Sequence, residues 1–174
     1  MTMKKIIYRT LFSGHLFAFF LITLTQACAQ NKTQVPKTIP EFTFYTLEKD
    51  TPFTRNNLAV NNKNIAILFF DPGCSHCQKE IQAIGQRYNS VKDVNLYLVA
   101  MQEKSLINAF MASYGKALNG KRNVTLLQDK NYEFIGKFKP TQYPATFVYG
   151  PDKQLKAFWD GDKAIQDIIK ALNM

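Results

Sequence analysis

The sequence predicts an α/β domain: a central mixed sheet flanked by helices, with an added N-terminal β-hairpin. Three observations carry that prediction. From residue 64 onward, apolar runs of strand length alternate with segments of helical period. The run "NIAILFFD" is apolar throughout, as expected of a central strand covered on both faces. The chain then closes with two strand-like segments, "ATFVYG" and "QLKAFWDG", around the turn "PDK", followed by an amphipathic helix. Parallel strands joined by helices, ending in an antiparallel pair, describe a three-layer domain with a mixed sheet.

The elements follow in order. Residues 1–29 read as a secretory signal: a basic start "MTMKKIIYRT", an apolar stretch "LFSGHLFAFFLITLT" and small residues in "QACAQ". Gly14, His15 and the shortness of the fully apolar part argue against a permanent membrane helix. Ala27-Cys28-Ala29 fits cleavage after Ala29; the same residues resemble a lipobox in which Cys28 becomes the lipidated first residue. Both alternatives place the domain outside the cytoplasm, in a periplasm or beyond, where disulfides persist. Residues 30–38 are polar, without periodicity, and read as a linker.

The domain itself is expected over residues 39–174. "PEFTFYTLEKDTPFT" alternates around "EKD" and reads as the hairpin. After the first buried strand the period changes, and Cys77, Ile81, Ile84 and Tyr88 fall on one helical face. "VNLYLVAM" is a second buried strand. "KSLINAFMASYGKALN" carries Leu106, Phe110, Met111, Tyr114, Ala117 and Leu118 as a helical stripe. "NVTLLQD" is a third strand, and "NYEFIGKF" a short helix ended by Pro140. The last helix, "DKAIQDIIKALN", is expected to be N-capped by Asp162, with Ile165, Ile168, Ile169 and Leu172 facing inward.

Composition supports a folded core without disulfide staples, at 46% hydrophobic and 13% aromatic residues. Removing Lys4, Lys5 and Arg9 of the leader from the 22 basic residues leaves 19 against 13 acidic ones, a charge of +6. These charges are scattered. With no basic stripe interleaved with aromatics, a nucleic-acid partner is not expected.

The chemistry concentrates in "DPGCSHCQKE", residues 71–80. A structural zinc site needs four ligands. His76 is the one histidine beyond the leader, and there is no second CxxC, so no metal is expected. Covalent haem attachment needs a histidine where Gln78 stands. Two inert core thiols are the plain alternative, because cysteine is commonly buried. Against it, Cys74 follows a buried strand in a Pro-Gly turn and opens a helix, at the edge where α/β sheets present functional side chains. There the helix dipole favours a thiolate. Cys77 lies one turn on, close enough to form a disulfide and more buried. Cys74 is therefore expected to attack and Cys77 to resolve, with His76 supporting the Cys74 thiolate. No cofactor is implied beyond a redox-active Cys74–Cys77 disulfide.

With "PEFTFYTLEKDTPFT", "AILFFDPGCSHCQKE" and "QYPATFVYG", the chain resembles the thioredoxin superfamily and, within it, the extracytoplasmic TlpA/ResA-like thiol–disulfide oxidoreductases. The resemblance covers residues 39–174 and implies a thioredoxin-like fold. It implies that Pro144 is cis and lies against the cysteine pair. The backbone of Tyr143, together with Ser75, would then meet an extended substrate. It also implies that Glu80 handles the proton of Cys77; the alternative is a solvated helix residue. The sequence departs from the family's patterns. Leu68 stands where thioredoxin has a buried Asp, Gly73 where it has Trp, and His76 where it has Pro. A histidine between the cysteines is more usual in oxidising and isomerising members, which leaves the direction of electron flow open.

The expected partners are protein thiols and disulfides, an upstream redox partner protein, and a lipid anchor if Cys28 is processed that way. Two other functions compete. "PGC" after a strand also resembles peroxiredoxins, although Asp71 replaces the Thr that would polarise a peroxide. A non-enzymatic binding module or copper carrier is the third, without the distant histidine such carriers use.

Overall fold

The computed structural model describes residues 34–174. The signal and Cys28 lie outside the described residues. Seven strands form one sheet: β1 (Thr43–Thr46), β2 (Pro52–Thr54), β3 (Ile65–Phe69), β4 (Asn95–Ala100), β5 (Val124–Gln128), β6 (Ala145–Tyr149) and β7 (Leu155–Asp160). Their spatial order is β2-β1-β5-β4-β3-β6-β7. β3, β4 and β5 run parallel, while β6 lies antiparallel on β3 and β7 on β6. β1 and β2 pair as an antiparallel hairpin, and β1 also pairs with β5, which extends the central sheet. Among the described residues, three α-helices connect strands, α1 (Ser75–Gln86), α2 (Lys104–Ser113) and α3 (Glu133–Phe138), and α4 (Ile165–Leu172) follows the last strand. None of the described helices is long and apolar enough to cross a membrane.

The two-sided burial of β3 explains its unbroken apolar run. Ile65, Ile67 and Phe69 point to one face, Ala66 and Leu68 to the other, because side chains alternate along a strand. The first face is an aromatic layer. Phe134 and Phe138 of α3 stack with centroids 4.2 Å apart, and Phe134 stacks on Phe69 at 4.1 Å. The second face is covered by Ile81 and Ile84 of α1, Ile107, Phe110 and Met111 of α2, and Ile168 and Leu172 of α4.

Some local expectations need correction. α2 stops at Ser113, so Ala117 lies outside the helix; within it Ile107 takes the inward position and Leu106 is exposed. Tyr88 lies in a 3-10 turn after α1. Lys139, in the left-handed region at φ 58°, ends α3 one residue before Pro140. Asp162 does not cap α4: Ala164 is at the N-cap, and the Asp162 side chain is engaged elsewhere. The segment before residue 39 already belongs to the fold at its end, where Lys37 O accepts from Leu155 N at 2.7 Å and Val35 packs on the aromatic layer.

Candidate redox site

The site is built where β3 ends. Phe70 N–H donates to Val99 O, which carries the chain one residue past the strand before it turns. Asp71 organises that turn. Its Oδ1 accepts from Gly73 N at 2.7 Å, and its backbone carbonyl accepts from Cys74 N at 3.0 Å. Gln102 Nε2 donates to Asp71 Oδ2, and Gln102 O in turn accepts from Gln128 Nε2 at 2.9 Å. The turn is thus tied to the C-terminal ends of β4 and β5.

Cys74 is the N-cap residue of α1, half-buried, and Cys77 is fully buried one turn later. Both are free thiols. Burial pushes the Cys77 thiol far above the ordinary range; a backbone hydrogen bond from Asp71 offsets part of this, while Cys74 and the Glu80 charge add to it. The unequal exposure fits the unequal roles expected for the pair. Ser75 is exposed beside them.

The Tyr143–Pro144 peptide bond is cis, and Pro144 is buried. Pro144 O accepts from Gly161 N at 2.8 Å, which joins the start of β6 to the end of β7. Tyr143 packs on the core beside Phe69, with ring centroids 4.9 Å apart. Its phenol is pushed up to about 12, first by burial and then by the nearby charges of Asp71, Cys77 and Cys74. Tyr143 therefore stays neutral.

Glu80 is not a solvated helix residue: it is 7% exposed, and its Oε1 accepts from Thr146 Oγ1 at 3.0 Å. Burial pushes its carboxyl up to about 7, partly offset by Thr146, Trp159 and Lys163 and reinforced by Asp162. The Trp159 indole favours the carboxylate without completing a well-formed hydrogen bond. Glu80 Oε2 and Trp159 Nε1 are both buried with no hydrogen-bond partner among the described residues. Leu68, Thr146 and Trp159 are lateral neighbours across β3, β6 and β7. The carboxyl absent from position 68 is therefore supplied to the same patch of sheet by the helix above it.

His76 has a partner that the sequence did not indicate. Its Nδ1 is 2.6 Å from Asp162 Oδ1, on the β7–α4 loop. Three partners escaped the sequence reading: Thr146, Trp159 and Asp162. Only Thr146 carries a local signal, a polar residue in the otherwise apolar strand "ATFVY". Among the described residues, no group of three or more His, Cys, Asp or Glu is disposed to hold a metal.

Known proteins share the fold. The AhpC/TSA family model matches residues 35–158. No curated protein matches the chain. Among solved structures, an uncharacterised thioredoxin-like protein from Porphyromonas gingivalis is 20% identical, with TM-score 0.63, covering 80% of this chain and 92% of its own. A secreted Mycobacterium tuberculosis disulfide oxidoreductase, homologous to E. coli DsbE, is 20% identical, with TM-score 0.61, covering 75% and 93%. A peroxiredoxin-like protein from Aquifex aeolicus is 13% identical, with TM-score 0.61, covering 80% and 85%. At these identities the likeness is one of fold, and that fold is thioredoxin-like.

Proposed function

The chain belongs to the AhpC/TSA family, and from that membership and the site's geometry we propose that it is an extracytoplasmic thiol–disulfide oxidoreductase acting on protein substrates. The observation that carries this reading is the half-exposed Cys74 at a helix start with the buried Cys77 one turn behind it. The Cys74 thiolate attacks a substrate disulfide; that S–S bond breaks, a mixed disulfide forms, and one substrate thiolate leaves and is protonated. Cys77 gives its proton to Glu80 and attacks Cys74 Sγ. The Cys74–Cys77 disulfide forms and the second substrate thiolate leaves. Two electrons have then passed from the protein dithiol to the substrate disulfide. The same steps reversed oxidise a substrate dithiol.

Glu80 suits the proton step because a group near pH 7 can both accept and return a proton there. Tyr143 and Pro144 offer backbone to an extended substrate segment, with Ser75 exposed beside it. The redox disulfide replaces any other cofactor, and a partner protein resets it. The N-terminal leader supports action outside the cytoplasm, with Cys28 as the candidate for lipidation.

Trapping tests this reading. Cys77→Ser cannot resolve the mixed disulfide, so it accumulates adducts on Cys74 that dithiothreitol releases. Cys74→Ser accumulates none. Equal trapping by both variants would contradict the assigned roles.

A peroxidase reading draws on the likeness to the Aquifex protein. Asp71 opposes it, since it stands in place of the Thr that would polarise a peroxide. Rapid peroxide consumption by the reduced protein would favour it.

A further inference from the structure

The His76–Asp162 contact joins two walls of a cleft of about 240 Å³ that Glu80 also lines. One wall is α1, with His76, Lys79 and Ala83; the other is the β7–α4 loop and α4, with Asp162, Lys163, Ile165 and Ile168. The pair is exposed, with side chains 49% and 68% accessible, while Glu80 Oε2 is buried without a partner among the described residues. We propose that His76 and Asp162 are positioning residues for proton exchange at Glu80: their bridge holds the loop and the Asp162 charge over the cleft through which the carboxyl meets solvent. This rests on the oxidoreductase reading for its purpose, though not for its measurement.

The surrounding groups define what the bridge does. Glu80 faces Cys77, His76 and Lys79 from α1, Thr146 from β6, Trp159 from β7, and Asp162 and Lys163 from the loop. Lys163 Nζ sits over the Trp159 ring, 5.5 Å from its centroid, so its charge is partly drawn to the indole. Asp162 is the negative group of the loop that opposes the charged form of Glu80. Held by His76, it keeps a proton on Glu80 near neutrality. Released, it turns into water, where its field is screened and the opened cleft hydrates the carboxyl. In the resolving step, the fraction of Glu80 that is ionised takes the proton of Cys77 and passes it to water along this cleft.

The test follows the Glu80 carboxyl carbon by ¹³C NMR across pH in the reduced protein. His76→Ala breaks the bridge and lowers the Glu80 midpoint by a few tenths of a pH unit. Asp162→Asn lowers it by as much or more. His76→Asn, whose amide nitrogen sits where Nδ1 sat, keeps the parent midpoint. The double change His76→Ala with Asp162→Asn falls no further than Asp162→Asn alone. A parent-like midpoint in His76→Ala, or additive shifts in the double variant, would overturn the bridge. Neither result depends on a substrate, so the bridge can fail while thiol–disulfide exchange stands. Absence of exchange would in turn leave the midpoints unaffected.

Discussion

Glu80 holds its carboxyl nearly out of water, with one oxygen on Thr146 and the other without a partner among the described residues. The consequence is a stability that depends on pH in a definite direction. Unfolded, the group titrates near 4.5; folded, near 7. Between these values the native state retains a proton that the unfolded state has lost. Stability therefore falls as pH rises through this window, with the loss complete above the folded value. The shift corresponds to roughly 3–4 kcal/mol. Glu80→Gln removes it. In urea denaturation the variant should match the parent at pH 4 and exceed it by up to that amount at pH 8; equal stability at both pH values would contradict the burial argument. The candidate residues themselves were legible, because cysteine spacing and the position of Glu80 three residues after Cys77 are local facts. The partners were not. Thr146 is 66 residues away from Glu80 and Asp162 is 86 away from His76, and only the folded sheet brings them together.

Elements were legible wherever burial was two-sided or the period was clean. β3 and β4 are apolar at nearly every position, and the closing hairpin has a turn signal between two alternating runs. Boundaries failed where a tertiary partner competed with a local rule. Asp162 looked like a helix cap, yet its oxygen meets His76 and the helix begins three residues later. Leu106 fitted a helical stripe that Ile107 occupies. Asp129, fully buried at the end of β5, caps α3 through bonds from Glu133 N and Phe134 N at 3.0 and 2.8 Å, although Tyr132 holds the nominal cap position. The end of β7 carries a testable constraint of the same kind. Gly161 has φ +77°, and a Cβ there would lie 2.7 Å from Gln142 Nε2. Gly161→Ala should cost about 1–2 kcal/mol of unfolding free energy. A neutral substitution would show that the backbone relaxes without strain.

Across the molecule, the mixed sheet gathers residues 71–80, 143–146 and 159–162 at one place. β3 delivers the cysteines, β6 brings Tyr143 and Pro144 beside them, and β7 places Trp159 and the loop with Asp162 under α1. The half-buried Cys74, the buried Cys77 and the buried Glu80 carboxyl are thereby gathered at one end of the sheet. Equilibrating the purified protein in graded glutathione buffers and counting free Cys74 and Cys77 thiols tests that assembly most directly. One two-electron transition is expected between free thiols and an intramolecular Cys74–Cys77 disulfide, with a potential between about −270 and −120 mV. Failure to form that disulfide, or oxidation that stops at Cys74 alone, would contradict it.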